Sequence, residues 1–242
     1  MRIVSVVPSI TELLSDLELE KEVVGITKFC VHPNSWYKSK QRIGGTKTLN
    51  VKKIIDLKPD LIIANKEENV KDQIDQLSSH ARIILTEIKT VDDNLKLVTE
   101  IASLTQRFDL CKIILEKYNE AFAKINKIKT IKAVVYLIWQ EPLMTVGGDT
   151  YINSMLEFCG LDNMMKKDQR YPTLNINKLK SLKPELLLLS SEPFPFKEKH
   201  KTYFQSELPN TKVVLVDGEV FSWYGTRLIK KSDYLIDLLE NI

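Results

Sequence analysis

The sequence predicts an α/β fold of two lobes, each built on a mostly parallel sheet, joined by one long helix. Short apolar runs alternate with amphipathic helical patterns near both ends of the chain, which is typical of layered α/β lobes. The stretch from Asp60 to Glu141 contains neither glycine nor proline, and its middle has the periodicity of a long helix. A ten-residue segment recurs in both halves, which indicates two similar lobes.

The composition excludes several classes of protein. The chain has 242 residues, of which 43% are hydrophobic and 28% charged, so it is not a disordered chain. A net charge of +3 is too small to favour nucleic acid as a partner. No apolar run approaches the ~18–20 residues of a membrane span, so we expect no membrane-spanning segment. Three widely spaced cysteines argue against a disulfide scaffold and exclude a cysteine-rich zinc site.

The N-terminal residues Met1–Pro8 form a strand pattern followed by a turn, without the pattern of a secretory signal. We therefore expect either a cytoplasmic protein or an exported protein from which a leader has been removed.

Residues 1–90 are predicted to form the N-terminal α/β lobe. The predicted strands are Arg2–Val7, Val23–Ile26, Leu61–Ala64 and Arg82–Leu85, and the predicted helices are Ser9–Leu17, Val51–Leu57 and Asn69–Ser79. Ser9 and Glu12 have the spacing of a capping box at the first helix. Asn50 and Asn69 are the predicted N-caps of the next two helices.

Residues 91–128 are predicted to form a linking backbone helix. Apolar residues recur at spacings of three and four from Val98 to Ile125, as on one face of a helix. We expect one continuous helix from Val91 to about Lys127. A coiled-coil dimer is the alternative, but the flanking positions show no ordered charge pattern, and we therefore expect a monomer.

Residues 129–242 are predicted to form the C-terminal α/β lobe. The predicted strands are Lys132–Ile138, Glu185–Ser190 and Lys212–Val216, and the predicted helices are Tyr151–Cys159, Asn175–Leu182 and Gly225–Glu240. Ile54–Ile63 matches Leu179–Leu188 at an offset of 125 residues. Helix–Lys-Pro–strand turns are common in α/β proteins, but two well-matched copies favour a duplication.

Common catalytic and nucleotide-binding motifs are absent from the sequence. We therefore expect a binding protein and not an enzyme, with no intrinsic cofactor and no metal site of its own. Gly147–Thr150 precedes a predicted helix and either binds an anion there or forms a plain turn with a cap.

Aromatic side chains lie at or near the ends of predicted strands. Trp139, Tyr171, Trp223 and Tyr224 are the main examples, and open α/β sheets bind ligands at the carboxyl ends of their strands. Flat side chains at such positions suit a large, flat, partly apolar ligand. The segment Phe194–Lys201 is predicted to be a mobile loop.

His32 is the histidine with the strongest case for a binding role. It lies in a loop after a predicted strand, with Cys30 two residues before it, and these two residues do not make a metal site by themselves. Either His32 contacts a ligand or it is a loop residue without a role. His80 and His200 lie in polar, surface-like contexts, and no role is predicted for them.

The sequence resembles the helical-backbone (class III) periplasmic substrate-binding proteins of ABC importers, which carry cobalamin, haem and iron–siderophores. The cobalamin-binding branch is the most similar. The resemblance runs through Arg2–Glu12, Val24–Thr27, His32-Pro33, Ile54–Ala64, Gly147–Gly160 and Arg227. It implies two α/β lobes joined by one helix, a ligand cleft between the lobes, and little hinge closure.

The resemblance also implies which residues contact the ligand. Cobalamin-contacting positions of the family correspond to His32, Met144, Tyr171 and the segment Glu219–Tyr224, and His32 is a candidate axial ligand to a metal that the ligand carries. The rim tryptophans of cobalamin carriers are replaced here by Asn65 and Leu85. The predicted ligand-binding residues are His32, Trp139, Met144, Tyr171, Glu219, Trp223 and Tyr224.

Members of the family dock on their permease through one glutamate on each lobe. The corresponding positions here are Lys71 and Asn177, so the docking glutamates are not evident. Glu67, Glu68 and Asp72 are acidic neighbours on the first lobe.

The resemblance implies a substrate-binding protein that holds a corrinoid, haem or iron chelate for an ABC importer, in the periplasm or at the cell surface. The alternative is a cytosolic protein of the same fold that handles or senses a corrinoid or metal cofactor without a permease.

Overall fold

The computed structural model describes residues 1–128 and 131–242, which divide into two compact units. Unit 1 comprises Met1–Ile88, Asp92–Glu116 and Trp223–Arg227, and unit 2 comprises Lys89–Val91, Lys117–Ser222 and Leu228–Ile242. Each unit contains its own parallel sheet, and the predicted α/β class with two mostly parallel sheets is confirmed.

Unit 1 is built on a five-stranded parallel sheet. Its elements are β1 (Ile3–Ser5), α1 (Pro8–Asp16), β2 (Val23–Ile26), α2 (Asn34–Ser39), β3 (Gln41–Arg42), α3 (Val51–Asp56), β4 (Leu61–Asn65), α4 (Lys71–Leu77) and β5 (Arg82–Thr86). The strand order is β3-β2-β1-β4-β5. Every residue of β4 is buried, as expected for an inner parallel strand covered on both faces. The four predicted strands are present, whereas α2 and β3 are too short to leave a periodic signal.

The predicted capping box at the start of α1 is wrong. The helix begins at Pro8 with Val7 as its N-cap, and no side chain caps it, because a proline at the first helical position already lacks one of the N–H groups that need a partner. Glu12 is instead buried and forms an ion pair with Arg227.

One of the two predicted asparagine caps is correct. The side-chain oxygen of Asn50 accepts a hydrogen bond from the N–H of Lys53 at 3.0 Å. Asn69 does not cap α4. Its side-chain oxygen accepts from the N–H of Asn65 at 2.8 Å, and its amide donates to the carbonyl of Val6 at 3.2 Å, so it braces the loop after β4.

The single helix predicted across residues 91–128 is wrong, because the structure has two helices there. They are α5 (Val91–Leu104) and α6 (Phe108–Ile128). Gln106 adopts a left-handed φ of 57°, and the N–H of Arg107 donates to the carbonyl of Ala102 at 2.8 Å, as in a Schellman C-cap. The apolar spacing continues past this cap, so periodicity alone does not reveal it.

Among the described residues, no helix has the combination of length and apolar character that a bilayer crossing requires.

Unit 2 is built on a four-stranded parallel sheet and a two-stranded antiparallel pair. The remaining elements of the chain are β6 (Lys132–Leu137), β7 (Leu143–Met144), α7 (Tyr151–Phe158), β8 (Leu161–Asn163), β9 (Thr173–Leu174), α8 (Ile176–Leu182), β10 (Leu186–Ser190), α9 (Glu198–Glu207), β11 (Lys212–Val216), α10 (Gly218–Ser222), α11 (Arg227–Lys230) and α12 (Ser232–Asn241). The parallel order is β11-β10-β6-β8, and β7 pairs with β9.

Three predictions for the C-terminal part are corrected. The helix predicted over Gly225–Glu240 is divided into α11 and α12. The segment Phe194–Lys201, predicted to be a mobile loop, contains the start of α9 at Glu198. His200, predicted to be surface-like, is buried, and its Nδ1 accepts a hydrogen bond from the N–H of Lys197 at 2.8 Å.

The internal repeat has a matching structural counterpart. The order β2-β1-β4-β5 in unit 1 corresponds to β8-β6-β10-β11 in unit 2. At the 125-residue offset, Asn50 and Asn175 both cap a helix by accepting from the N–H three residues later. Lys58 and Lys183 both have left-handed φ values, 46° and 52°, immediately before proline. These matches support the duplication.

Candidate ligand-binding site

Unit 1 brings together three of the predicted ligand-binding residues, His32, Trp223 and Tyr224. His32 lies in the loop after β2, and its ring centre is 5.5 Å from that of Trp223 at an interplanar angle of 72°. Both side chains are half-buried. Edge-to-face contacts at this distance are favourable, so the imidazole and the indole stabilise each other's orientation.

Tyr224 is buried and does not offer an open aromatic face. Its hydroxyl donates to Oε1 of Glu68 at 3.2 Å, and Glu68 lies in the loop after β4. Burial, together with the nearby charge of Glu68, raises the pKa of Tyr224 well above its usual range, so the phenol is a proton donor at neutral pH. The contact holds the segment Trp223–Arg227 at the carboxyl ends of the unit 1 strands.

Arg227 packs on the other side of this cluster. Its guanidinium carbon lies 4.7 Å from the centre of the Trp223 ring, and its Nε lies 3.0 Å from Oε2 of Glu12. The sequence pattern predicts a capping role for Glu12 and no site role for Arg227. A single acidic residue among the apolar positions Ile10 and Leu13 of α1 was the available signal of a buried ion pair.

Unit 2 places Met144 and Tyr171 on one face of the antiparallel β7–β9 pair and its continuation. Met144 pairs with Thr173 in the β7–β9 ladder. The antiparallel pairing continues to Gly147, whose N–H donates to the carbonyl of Arg170 at 2.8 Å. Met144 and Tyr171 are therefore diagonal neighbours on the same face, within reach of long side chains. The Arg170 guanidinium lies 5.4 Å from the centre of the Tyr171 ring.

Trp139 follows β6 and is one of the more exposed aromatic side chains, at 39%. Its Nε1 donates to the carbonyl of Glu141 at 3.1 Å, and its ring meets that of Phe194 at 5.6 Å. Trp139, Phe194 and His200 line one surface groove of unit 2.

Glu219 lies on α10, directly after β11. Its N–H donates to Oδ1 of Asp217 at 3.1 Å, and its side chain is half-buried. Trp139 and Glu219 therefore follow two strands of the same parallel sheet at their carboxyl ends, the edge at which open α/β sheets bind ligands.

The segment Gly147–Thr150 forms a plain turn with a cap. The N–H groups of Gly147 and Gly148 donate to the carbonyls of Arg170 and Asp168, so these amides are not available to an anion. The hydroxyl of Thr150 accepts from the N–H of Asn153 and caps α7.

The positions that depart from the family pattern have distinct environments. Asn65 is buried, and its side-chain oxygen accepts from the N–H of Glu67 at 2.8 Å, so it braces the loop after β4. Leu85 on β5 is 45% exposed. Lys71 and Asn177 are exposed near the starts of α4 and α8.

Across residues 1–128 and 131–242, no group of three or more His, Cys, Asp or Glu side chains is arranged to hold a metal ion.

The two parallel sheets, with aromatic and histidine side chains at their carboxyl ends, define an α/β solute-binding protein. Residues 3–214 match the periplasmic binding protein family, and the chain belongs to this family.

Named relatives and solved structures are similar over almost the whole chain. A vitamin B12-binding protein of Pectobacterium carotovorum subsp. carotovorum (strain PC1) is 20% identical, over 94% of this chain and 84% of that protein. The uncharacterized ABC transporter substrate-binding lipoprotein YvrC of Bacillus subtilis (strain 168) is 26% identical, over 98% of this chain and 79% of that protein. The periplasmic heme-binding protein HutB of Vibrio cholerae superposes with a TM-score of 0.84 at 20% identity, over 99% of this chain and 98% of that structure.

Proposed function

We propose that this chain is a substrate-binding protein of an ABC importer and that its ligand is a metal macrocycle, either a corrinoid or haem, or a comparable iron chelate. Membership of the periplasmic binding protein family supports a binding role without catalysis. The names of two relatives, a vitamin B12-binding protein and an ABC transporter substrate-binding lipoprotein, support the ligand class and the permease partner.

The contact between His32 and Trp223 is the observation that carries the proposal. A neutral imidazole nitrogen is a good ligand for cobalt or iron, and an indole is a suitable apolar surface for a flat ring system. The structure holds the two rings 5.5 Å apart and leaves both partly exposed. Unit 2, considered by itself, has aromatic and thioether surface at Tyr171 and Met144.

Titration of the purified chain with cyanocobalamin, dicyanocobinamide and hemin tests the proposal. Calorimetry and absorption spectra should show one-to-one binding of at least one macrocycle. Failure to bind all three, together with firm binding of an unrelated solute, would overturn it.

The variant Tyr171→Ala tests the contribution of unit 2. We expect it to weaken binding by about 1–3 kcal/mol, because a partly exposed aromatic anchor loses most of its contact area with the ligand. Tyr203→Ala, which removes another exposed tyrosine of unit 2, is the matched control and should leave the affinity unchanged. Equal effects of the two variants would remove Tyr171 from the site.

A further inference from the structure

Four side chains of unit 1 connect a buried ion pair to the proposed ligand contact. Oε2 of Glu12 lies 3.0 Å from Nε of Arg227, and each side chain is 4% exposed. The Arg227 guanidinium carbon is 4.7 Å from the centre of the Trp223 ring, and Trp223 is 5.5 Å from His32. Carboxylate, guanidinium, indole and imidazole therefore follow one another in contact.

The backbone of the segment Trp223–Arg227 is fixed independently of this ion pair. The N–H of Gly225 donates to the side-chain oxygen of Asn94 at 2.5 Å, and the Asn94 amide donates back to the Gly225 carbonyl at 3.2 Å. The hydroxyl of Thr226 donates to the carboxylate of Asp16. A substitution of Arg227 can therefore alter the packing on Trp223 while the backbone of the segment Trp223–Arg227 keeps its conformation.

Stability alone is a weak reason to bury Glu12 with Arg227. Two charges lose their hydration when they are buried, and a well-packed apolar pair of the same volume is often equally stable or more stable. An arginine adds a property that an apolar side chain or a lysine lacks, because its planar group stacks on an aromatic face. The carboxylate of Glu12 places a negative charge 3.0 Å from Nε of that group.

We propose that Glu12 and Arg227 are positioning residues for ligand binding. The ion pair holds the indole of Trp223, and through it the imidazole of His32, in the orientation that receives the ligand. This inference rests on the proposed function, because it assumes that His32 and Trp223 contact the ligand.

Two conservative variants test the positioning role. Arg227→Lys keeps the positive charge but removes the planar stacking group, and Glu12→Gln keeps the size but removes the negative charge. The control Glu22→Gln breaks a different ion pair of unit 1, which joins Glu22 to Arg107 at 2.9 Å. With hemin or dicyanocobinamide, whichever the wild-type chain binds, we expect the first two variants to raise Kd at least tenfold and Glu22→Gln to change it less than twofold.

A second readout needs no ligand. The chain has three tryptophans, so incorporation of 5-fluorotryptophan gives three fluorine resonances, and the one lost in Trp223→Phe belongs to Trp223. Arg227→Lys and Glu12→Gln should shift or broaden that resonance and leave those of Trp36 and Trp139 in place. A general loss of structure would move all three resonances.

The outcomes separate this inference from the proposed function. Failure of the wild-type chain to bind all three macrocycles, together with firm binding of an unrelated solute, overturns the proposed function before any variant is made. An unchanged Kd in Trp223→Ala removes Trp223 from the site. If Trp223→Ala weakens binding while Arg227→Lys and Glu12→Gln bind as the wild type does, only the positioning role is overturned. Should Arg227→Lys fail to fold, Glu12→Gln decides the question by the same two measurements.

Discussion

At the scale of single residues, the environment of each histidine determines its chemistry. His32 is half-buried and lies against an indole. His200 is buried among Phe194 and Phe196, with ring centres 5.3 Å and 5.6 Å away. The polar sequence around His200 is misleading, because Lys197, Glu198 and Lys199 are exposed whereas Phe196, His200 and Phe204 are buried. These environments favour His32 over His200 as the proposed ligand contact.

Replacement of His32 tests metal coordination directly. We expect His32→Ala to change the absorption spectrum of bound hemin and to weaken binding by about tenfold, ~1.4 kcal/mol, because a nitrogen ligand to iron is lost. Absorption titration measures both effects. His80→Ala, which changes an exposed histidine of unit 1, is the control, and identical spectra for wild type and His32→Ala would leave His32 without a role.

We expect His200 to make the stability of the fold depend on pH. Burial, followed by the charges of Lys199 and Lys197, lowers the pKa of His200. In the unfolded chain, His200 takes up a proton near the ordinary histidine pKa of about 6.5, whereas in the folded chain it does so only at lower pH. The contribution of neutral His200 to the free energy of unfolding is therefore complete above about pH 6.5 and is lost as the pH falls below that value.

Urea unfolding at about pH 7.5 and about pH 5.5 measures this effect. His200→Asn keeps an acceptor but does not titrate, so its stability should fall less between the two pH values than that of the wild type. His80→Asn should behave as the wild type does. The same decline in His200→Asn as in the wild type would assign the pH dependence to other groups.

At the scale of secondary-structure elements, the junction between α5 and α6 is the main departure from prediction. Thr105 donates its hydroxyl to the carbonyl of Ile101 at 2.7 Å, and Gln106 has a left-handed φ of 57°. Glutamine is costly in this conformation, which glycine adopts freely. The absence of glycine was therefore a poor argument for a continuous helix.

Gln106→Gly should stabilise the chain by up to about 1 kcal/mol, because it relieves the left-handed strain at a helix C-cap. Chemical denaturation measures the change in the free energy of unfolding. Glu100→Gly, an exposed position inside α5, should destabilise the chain by about 1 kcal/mol. Destabilisation by both variants would show that the side chain of Gln106 contributes more than its backbone conformation costs.

At the scale of the whole molecule, the duplication is visible in equivalent details of the two units. The same strand order, the same asparagine cap and the same left-handed lysine before proline occur in both. The asparagine cap and the left-handed lysine are local, so each half of the sequence specifies them independently.

The equivalent caps should contribute equally to stability. Asn50→Ala and Asn175→Ala should each lower the free energy of unfolding by about 1 kcal/mol, since each variant removes the acceptor of one helix N–H group. Asn177→Ala, at an exposed position inside α8, is the matched control and should change little. Thermal or urea unfolding compares the three, and a loss confined to one cap would mean that the two helix starts are not equivalent.

Much of the candidate site follows from positions near strand ends, which sequence patterns locate well. Trp139 and Trp223 were predicted in this way, whereas Glu219 was predicted from the family resemblance. The alternation of apolar runs placed most of the strands correctly. Sequence patterns do not predict that Met144 pairs with Thr173 of β9, two residues after Tyr171. The strands β7 and β9 have two residues each, which is too short for a periodic pattern.

By itself, the sequence determined the α/β class, the repeated unit and the kinds of side chain that are available to a ligand. These depend on periodicities and caps that act over a few residues. Only the tertiary structure decided that Glu12 is a buried partner of Arg227 and that His32 meets Trp223. Such contacts join residues as far apart as Asp16 and Thr226, which are separated by 210 positions. These contacts form because the chain folds around a hydrophobic core. Local sequence patterns do not specify which distant residues this folding brings into contact.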